Sequence, residues 1–494
     1  MNLSRREFLR ESMAALGFLA LPGGMFAAPA GWKPTKRPNL VFGILSDTHL
    51  QSGWDGVKPH GGFPLTYVAN AMRLFRDRNV DAFMHLGDMA HRGKTVEAQY
   101  HRDLFEKFFP GGKRPSDGRT VEKLLVVGNH EWYGDVAGGP GAWAPNIWKD
   151  KAVRDRHTLC GDMPGHWEQV WGEKYEDSWH KEVNGYHFFG RHWTTDEAAF
   201  AQFVKARAGA LSLKGDRPFF ILSHKRNHFA CCNALRDYPN AIAFCGHWHM
   251  SNADWKTIFC DNFGFTTFPT IQVGACRMDG GNCLDGKERL AKGALVEEKD
   301  DPNAAKTAWS VGRYPSRQAM IVNVYDDMVV FERHEVGEGG KLGPDWVFPV
   351  GNFDQRPYSR DSLVKMVGKP EFPPRAKLVV AKALFETPNE KADKKPLKEP
   401  GVRIDIPMAD GNPASRPYAY EVVVVGDDRK ARLFKSVFFR GVNCGMGHEP
   451  DFGVTRMTIP VSELPAGRKL TIAVRPVSSL GTKGKTIGVT WNAG

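Results

Sequence analysis

The sequence predicts a layered α/β domain followed by an all-β domain, and three observations carry that prediction. Five apolar runs are each cut short by a turn that presents Asp, Asn or His. Stretches with helical spacing alternate with the first three of these runs. Beyond residue 375 the helical period disappears, and short strand-like runs recur between turns rich in Gly, Pro and Asp. At 494 residues the chain has room for two or three domains.

Taken in order, Leu40 to Leu45 is the first run and leads into Asp47-Thr48-His49. Apolar spacing from Tyr67 to Phe75 predicts an amphipathic helix. Ala82 to Leu86 leads into Gly87-Asp88, and residues 96 to 109 read as a second helix with Tyr100, Leu104, Phe105 and Phe108 turned inward. Leu124 to Val127 is purely aliphatic and suits a strand buried on both faces of a parallel sheet. It stops at Gly128 and presents Asn129, His130 and Glu131 together. Phe219 to Leu222 leads to Ser223-His224, and Ala241 to Cys245 leads to Gly246-His247-Trp248-His249. Polar side chains at the ends of apolar strands make a poor core, but they suit the carboxyl edge of a sheet, where open α/β proteins bind ligands. The mixture of nitrogen and oxygen donors suits divalent transition metals.

The ordered set Asp47-x-His49, Gly87-Asp88, Gly128-Asn129-His130-Glu131, His224 and Gly246-His247-x-His249 resembles the signature of the calcineurin-like metallophosphoesterases, over roughly residues 38 to 335. The resemblance implies a two-layered β-sandwich flanked by helices, with two metal ions (Mn, Fe or Zn, divalent or trivalent) at the strand ends. It implies that Asp88 bridges the ions, that Asp47, His49 and His249 complete one site, and that Asn129, His224 and His247 complete the other. A metal-bridging hydroxide would attack phosphorus, His130 would act as general acid, and Glu131 would orient a neighbour. At the position where many family phosphatases carry an Asp, this chain has His91. That disfavours the protein-phosphatase subgroup, and likewise the purple acid phosphatases, which place a tyrosine there. The pattern looks closest to the small-molecule phosphodiesterases of the family. Arg92, Trp132 and Arg277 are candidate substrate contacts. The two arginines read equally as solvated surface charges.

Residues 132 to 193 hold seven of the fourteen tryptophans and read as an insertion in the catalytic domain (38–368) that either walls the site or builds a small core of its own. The hairpin signal Asp326-Asp327 lies between Ala319 to Tyr325 and Met328 to Glu332. From 376 to 494, seven runs predict an immunoglobulin- or fibronectin-III-like sandwich. They are Lys377 to Ala381, Val402 to Ile406, Tyr418 to Val425, Ala431 to Phe439, Thr455 to Val461, Lys469 to Val474 and Ile487 to Trp491.

Residues 1 to 30, with Arg5-Arg6, an apolar stretch to Leu21 and Ala28-Pro29-Ala30, look like a twin-arginine export signal, which places the mature protein in the periplasm or outside the cell with no integral membrane segment. Eight cysteines in such a setting leave pairing open, with Cys276 and Cys283 the favoured local bridge. A net charge of +11 favours anionic ligands. The function expected is therefore hydrolysis of a small phosphorylated substrate. An extracellular nuclease and a non-catalytic binder of phosphorylated surface polymers are the alternatives.

Overall fold

A computed structural model describes residues 36–52, 63–133, 156–215, 217–226, 229–247, 252, 258–259, 268–276, 317–337, 341, 345–349, 364–365, 367–387, 397–412, 415, 417, 419–427, 431–438, 454–465, 467, 469–478 and 480–492. The export signal, His249, Arg277 and Cys283 lie outside the described residues. The chain divides into two compact units, one holding the described residues up to 349 and the other those from 364 onward.

In the first unit the elements run β1 (Leu40–Leu45), α1 (Phe63–Asp77), β2 (Ala82–His85), α2 (Thr95–Phe108), β3 (Glu122–Leu125), α3 (Asn129–Tyr133), α4 (Met163–Trp171), β4 (Ser178–Val183), β5 (Tyr186–Arg191), α5 (Glu197–Ala210), β6 (Phe219–Ser223), α6 (Phe229–Ala234), β7 (Ala241–Cys245), β8 (Ile258–Phe259), β9 (Thr270–Gln272), β10 (Gln318–Val324), β11 (Met328–Glu335) and β12 (Trp346–Pro349). They build two six-stranded sheets, ordered β12-β11-β10-β1-β2-β3 and β4-β5-β6-β7-β9-β8. Within the first sheet β1, β2 and β3 are parallel. In the second, β5, β6, β7 and β9 are parallel. The expected hairpin at Asp326-Asp327 joins antiparallel β10 and β11.

Strand alternation explains the layering. Phe42 of β1 faces the second sheet and meets the rings of Phe188 (5.4 Å), Phe220 (5.1 Å) and Phe244 (6.0 Å). Its neighbours Val41 and Leu45 join the opposite cluster with Val68, Met72 and Phe75 of α1 and Phe105 of α2. In β6, Phe219 and Ile221 pack outward against Phe200 and Val204 of α5, while Phe220 points in. Both faces of each central strand are therefore apolar, which is why the runs read as continuous rather than alternating. On α2, Phe105 and Phe108 are buried as predicted and Tyr100 and Leu104 are partly so, but Glu97 and His101 are buried as well.

The Leu124 to Val127 run is buried and runs parallel to its neighbour, as expected, and β3 is the edge of its sheet. Side chains cover that edge, because an open row of backbone groups would otherwise invite mispairing. Trp179 Nε1 donates to Leu125 O (3.0 Å), Lys181 Nζ to Lys123 O (2.7 Å), and Val127 N–H donates to His192 Nδ1 (2.9 Å). Residues 132 to 193 are more than an insertion, since β4 and β5 open the second sheet. Trp179 of β4 is one of the side chains covering β3, and it packs so close over Gly190 of β5 that any side chain there would collide with its indole.

Cys276, offered as a bridge partner, is instead a free and fully buried thiol, and Cys231 and Cys245 are fully buried as well.

His101 and His192 are both fully enclosed, and burial pushes their pKa values down to about 3 from 6.5. Below pH 6.5 the unfolded chain takes up protons that the folded chain refuses, so stability is lost as pH falls from about 6.5 towards about 3. The expected loss at pH 4.5 is about 3 kcal/mol per histidine. Urea denaturation of wild type and His192→Asn at pH 7 and pH 4.5 checks this. The variant should lose less on acidification, and an equal loss would contradict the assignment.

The seven C-terminal runs are seven strands: β13 (Val379–Thr387), β14 (Leu397–Pro407), β15 (Ala419–Val425), β16 (Ala431–Phe438), β17 (Val454–Pro460), β18 (Lys469–Val477) and β19 (Ile487–Asn492). They form antiparallel sheets β13-β14-β17 and β16-β15-β18-β19. Tyr420 is fully buried, and its hydroxyl accepts from Ala409 N (3.0 Å) and donates to Pro407 O (3.3 Å), joining the end of β14 to β15. Among the described residues no helix is long and apolar enough to cross a membrane.

Candidate metal centre

The carboxyl ends of β1, β2, β3, β6 and β7 meet at one place, because the parallel pairings bring the strands of each sheet out at the same edge. The turns there are unusual. Asp47 (φ 50°), His49 (φ 45°), Asp88 (φ 53°) and His247 (φ 75°) all adopt the left-handed backbone that side-chain-bearing residues avoid. Each such residue costs on the order of 1–3 kcal/mol and persists only where the surroundings over-determine it. Four of them, all predicted metal ligands, mark this edge as a built site.

Glycines make the crowding possible. A methyl at Gly128 would collide with the amide and carboxylate of Asp88, and one at Gly246 with Ser46 Oγ and the Asp47 carboxylate. At Gly87 (φ 91°) the backbone is left-handed, and a methyl would come within 2.7 Å of Gly128 N and His224 Nδ1. Gly128→Ala should therefore fold but lose metal affinity by roughly the 10–100-fold typical of disturbed ligand support. Isothermal titration with Mn²⁺ measures it, and wild-type affinity would show that Asp88 need not sit against Gly128.

The predicted ligands fall into two groups that share one carboxylate. Asp47, His49 and Asp88 offer ligand atoms within 4.8 Å of one another, and so do Asp88, His224 and His247. Asp88 Oδ2 lies 3.2 Å from His224 Nε2 and 3.6 Å from His49 Nε2. Asn129 Oδ1 completes the second group, 3.0 Å from His224 Nε2 and 2.9 Å from His247 Nδ1. The His247 amide donates to both Asp47 oxygens (3.1 and 3.0 Å), which ties the two sheets together at the site. Burial disfavours a charged His224, but the charge and hydrogen bond of Asp88, helped by Asp47, outweigh it and hold the imidazole up at about 9. Burial likewise opposes ionisation of Asp88, and His224 and His130 pull its carboxyl well below the usual range. Buried carboxylates, an amide oxygen and imidazoles converging from strained turns fit a pair of transition-metal ions.

The remaining predicted residues frame this cluster. The His130 amide donates to Asp88 Oδ1 (2.9 Å), and His130 Nδ1 lies 2.6 Å from the His91 carbonyl, so its Nδ1–H is donated there and Nε2 is left free. The His91 ring stacks on that of His130 at 5.5 Å. Glu131 is fully buried and accepts from Asp88 N (2.8 Å), Gly128 N (2.7 Å) and Ala90 N (2.7 Å), joining the turn after β2 to the turn after β3. Burial and the charge of Asp88 push its carboxyl up, while the Ala90 and Gly128 N–H groups and His224 pull it back. Burial and the Asp88 charge outweigh these donors, and the carboxyl stands raised at about 8.

Of the proposed substrate contacts, Arg92 is half-buried and follows His91 directly, its backbone N–H donating to Glu97 Oε2 (2.8 Å). Trp132 is half-buried and packs against the core cluster of the first sheet. Among the described residues, the tryptophan beside the ligands is Trp193, whose ring centroid is 5.3 Å from His247 and 5.8 Å from His224. Lys225 Nζ sits 5.8 Å over that ring, which adds a cation beside the metal-binding cluster. Sequence reasoning missed both as individuals. Lys225 was signalled by its place directly after His224, and Trp193 by nothing short of the strand pairing that delivers it.

Residues 40–251 match the family model described as calcineurin-like phosphoesterase. No curated protein sequence matches the chain. Among solved structures, the chain is similar to a dimetal phosphatase from Danio rerio (13% identity, 64% of this chain and 100% of that one, TM-score 0.34). It is also similar to the purple acid phosphatase PPD1 from yellow lupin, Lupinus luteus (13% identity, 66% of this chain and 57% of that one, TM-score 0.38). A third is Vps29 complexed with Zn²⁺ from Entamoeba histolytica (8% identity, 63% of this chain and 99% of that one, TM-score 0.26). The family match falls across the strands whose turns assemble the two donor groups, and the chain is a metal-dependent phosphoesterase.

Proposed function

We propose that the protein hydrolyses a small phosphorylated substrate, diester or monoester, with two ions drawn from Mn, Fe and Zn, and that His130 is its proton donor. The observation that carries this reading is the pair of donor groups meeting on Asp88. Asp47, His49 and His249 would hold one ion, Asn129, His224 and His247 the other, and Asp88 would serve both. When bound, the ions neutralise the phosphate oxygens and make water a better nucleophile at neutral pH. His130 is suited to the leaving-group oxygen because its Nδ1–H is committed to the His91 carbonyl. The protonated ring then has a single free N–H, at Nε2, to give away. Glu131 acts through the backbone, holding Asp88 and Asn129 in register. Trp193 and Lys225 supply an apolar face and a positive charge for the ester.

The reading includes export by the twin-arginine route, supported by Ser4-Arg5-Arg6-Glu7-Phe8-Leu9 and the apolar stretch after it. It also takes the seven C-terminal strands as an immunoglobulin-like sandwich, supported by their two antiparallel sheets.

The test is turnover of an aryl phosphodiester beside the matching monoester, with metal-stripped protein titrated with Mn²⁺, Zn²⁺ and Fe²⁺. Metal-dependent release of the aryl alcohol is expected, and the ratio of the two rates names the substrate class. Steep salt-dependent binding of polynucleotide, with cleavage, would replace the small substrate by nucleic acid.

A further inference from the structure

His85 is the last residue of β2, fully buried, and outside the predicted ligand set. Its Nδ1 lies 3.2 Å from the Gly87 amide nitrogen, and its Nε2 lies 3.1 Å from Thr48 Oγ1. An amide N–H can only donate, so Nδ1 is an acceptor and the ring proton sits on Nε2, which donates to the Thr48 hydroxyl. The tautomer is set by the geometry alone. Thr48 stands between Asp47 and His49, and its hydroxyl also meets His101 Nε2 at 2.6 Å.

One imidazole thus spans two turns, the one that carries Asp47 and His49 and the one that carries Asp88. Both are left-handed: φ is 50° and 45° at Asp47 and His49, and 91° and 53° at Gly87 and Asp88. Backbone bonds Asp47 N–H to Gly87 O (3.1 Å) and His49 N–H to Asp88 O (2.9 Å) run alongside. His85 is the tie between the turns that a substitution can remove without touching a predicted ligand.

We infer that His85 is a positioning residue for metal binding, which holds the Asp47–His49 turn and the Gly87–Asp88 turn at the separation the first ion needs. This rests on the reading of Asp47, His49 and Asp88 as ligands. Without the bridge the turns would relax towards ordinary backbone, and each ion would have to re-form them on binding. The cost falls on metal affinity.

The experiment is calorimetric titration of metal-stripped full-length protein with Mn²⁺. His85→Phe, which keeps a ring of similar size and removes both bonds, should weaken Mn²⁺ binding on the order of 10–100-fold. His85→Asn, which keeps an acceptor near the Nδ1 position for Gly87, should recover part of the loss. Thr48→Val should weaken binding where Thr48→Ser does not, and this pair tests the same bridge if the His85 variants fold poorly. Binding by His85→Phe and Thr48→Val within about twofold of wild type would overturn the inference, as would a loss that neither His85→Asn nor Thr48→Ser relieves. Asp88→Asn is run alongside. If it loses ions while His85→Phe does not, only the positioning role falls. If Asp88→Asn binds both ions as wild type does, the ligand reading itself falls.

Discussion

Asp88→Asn is expected to lower kcat/KM for phosphoester hydrolysis by on the order of 10³-fold or more, about 4 kcal/mol of transition-state stabilisation. The substitution keeps the shape and removes the charge. Asp88 is 2% exposed, belongs to both donor groups and faces His224 Nε2 at 3.2 Å. An amide cannot offer one anionic oxygen to each ion, so the change should also lower the number of Mn²⁺ ions bound. Asp103→Asn is the control, because Asp103 is an exposed partner of Arg102 and should leave the rate unchanged. Retention of activity by Asp88→Asn would show that the two groups do not act together.

Metal binding should expel a proton, and its affinity should climb with pH up to about 9. In the metal-free site His224 is protonated below about 9, because its attraction to Asp88 and Asp47 outweighs the cost of burial. A metal needs the lone pair that this proton occupies, so binding and protonation compete. Below about 9 the apparent Kd should rise about tenfold for each unit that pH falls, and above it the dependence should flatten. Titrating Mn²⁺ at pH 7 in buffers of different ionisation enthalpy counts the protons released, with about one expected from this histidine. Buffer-independent heats would mean that His224 is already neutral. The same competition means that the proton on His224 occupies the ligand position the second ion would take.

The chemistry and the strands that carry it could be read from the chain alone. Leu40–Leu45 and Ala241–Cys245 are strands with the predicted limits, and all seven C-terminal runs are strands. They were legible because burial on both faces demands uninterrupted apolar residues, and because a turn that ends in Asp, Asn or His has few other uses. The tertiary structure decided what lies next to what. That β3 is an edge covered by Trp179, Lys181 and His192 could not be read from residues more than 50 positions downstream. Period and composition report how a side chain is buried, not which strand it faces. Trp193 reaches His247 and His224 because β5 pairs in parallel with β6, whereas Trp132, adjacent in sequence to Glu131, turns into the core. His85 was read as part of an apolar run, since an imidazole with both nitrogens satisfied inside the fold looks in sequence like any interruption of a strand. Ligands are chosen by their chemistry, which local sequence records. The groups that position them are chosen by distance, and only the packing of the two sheets sets that.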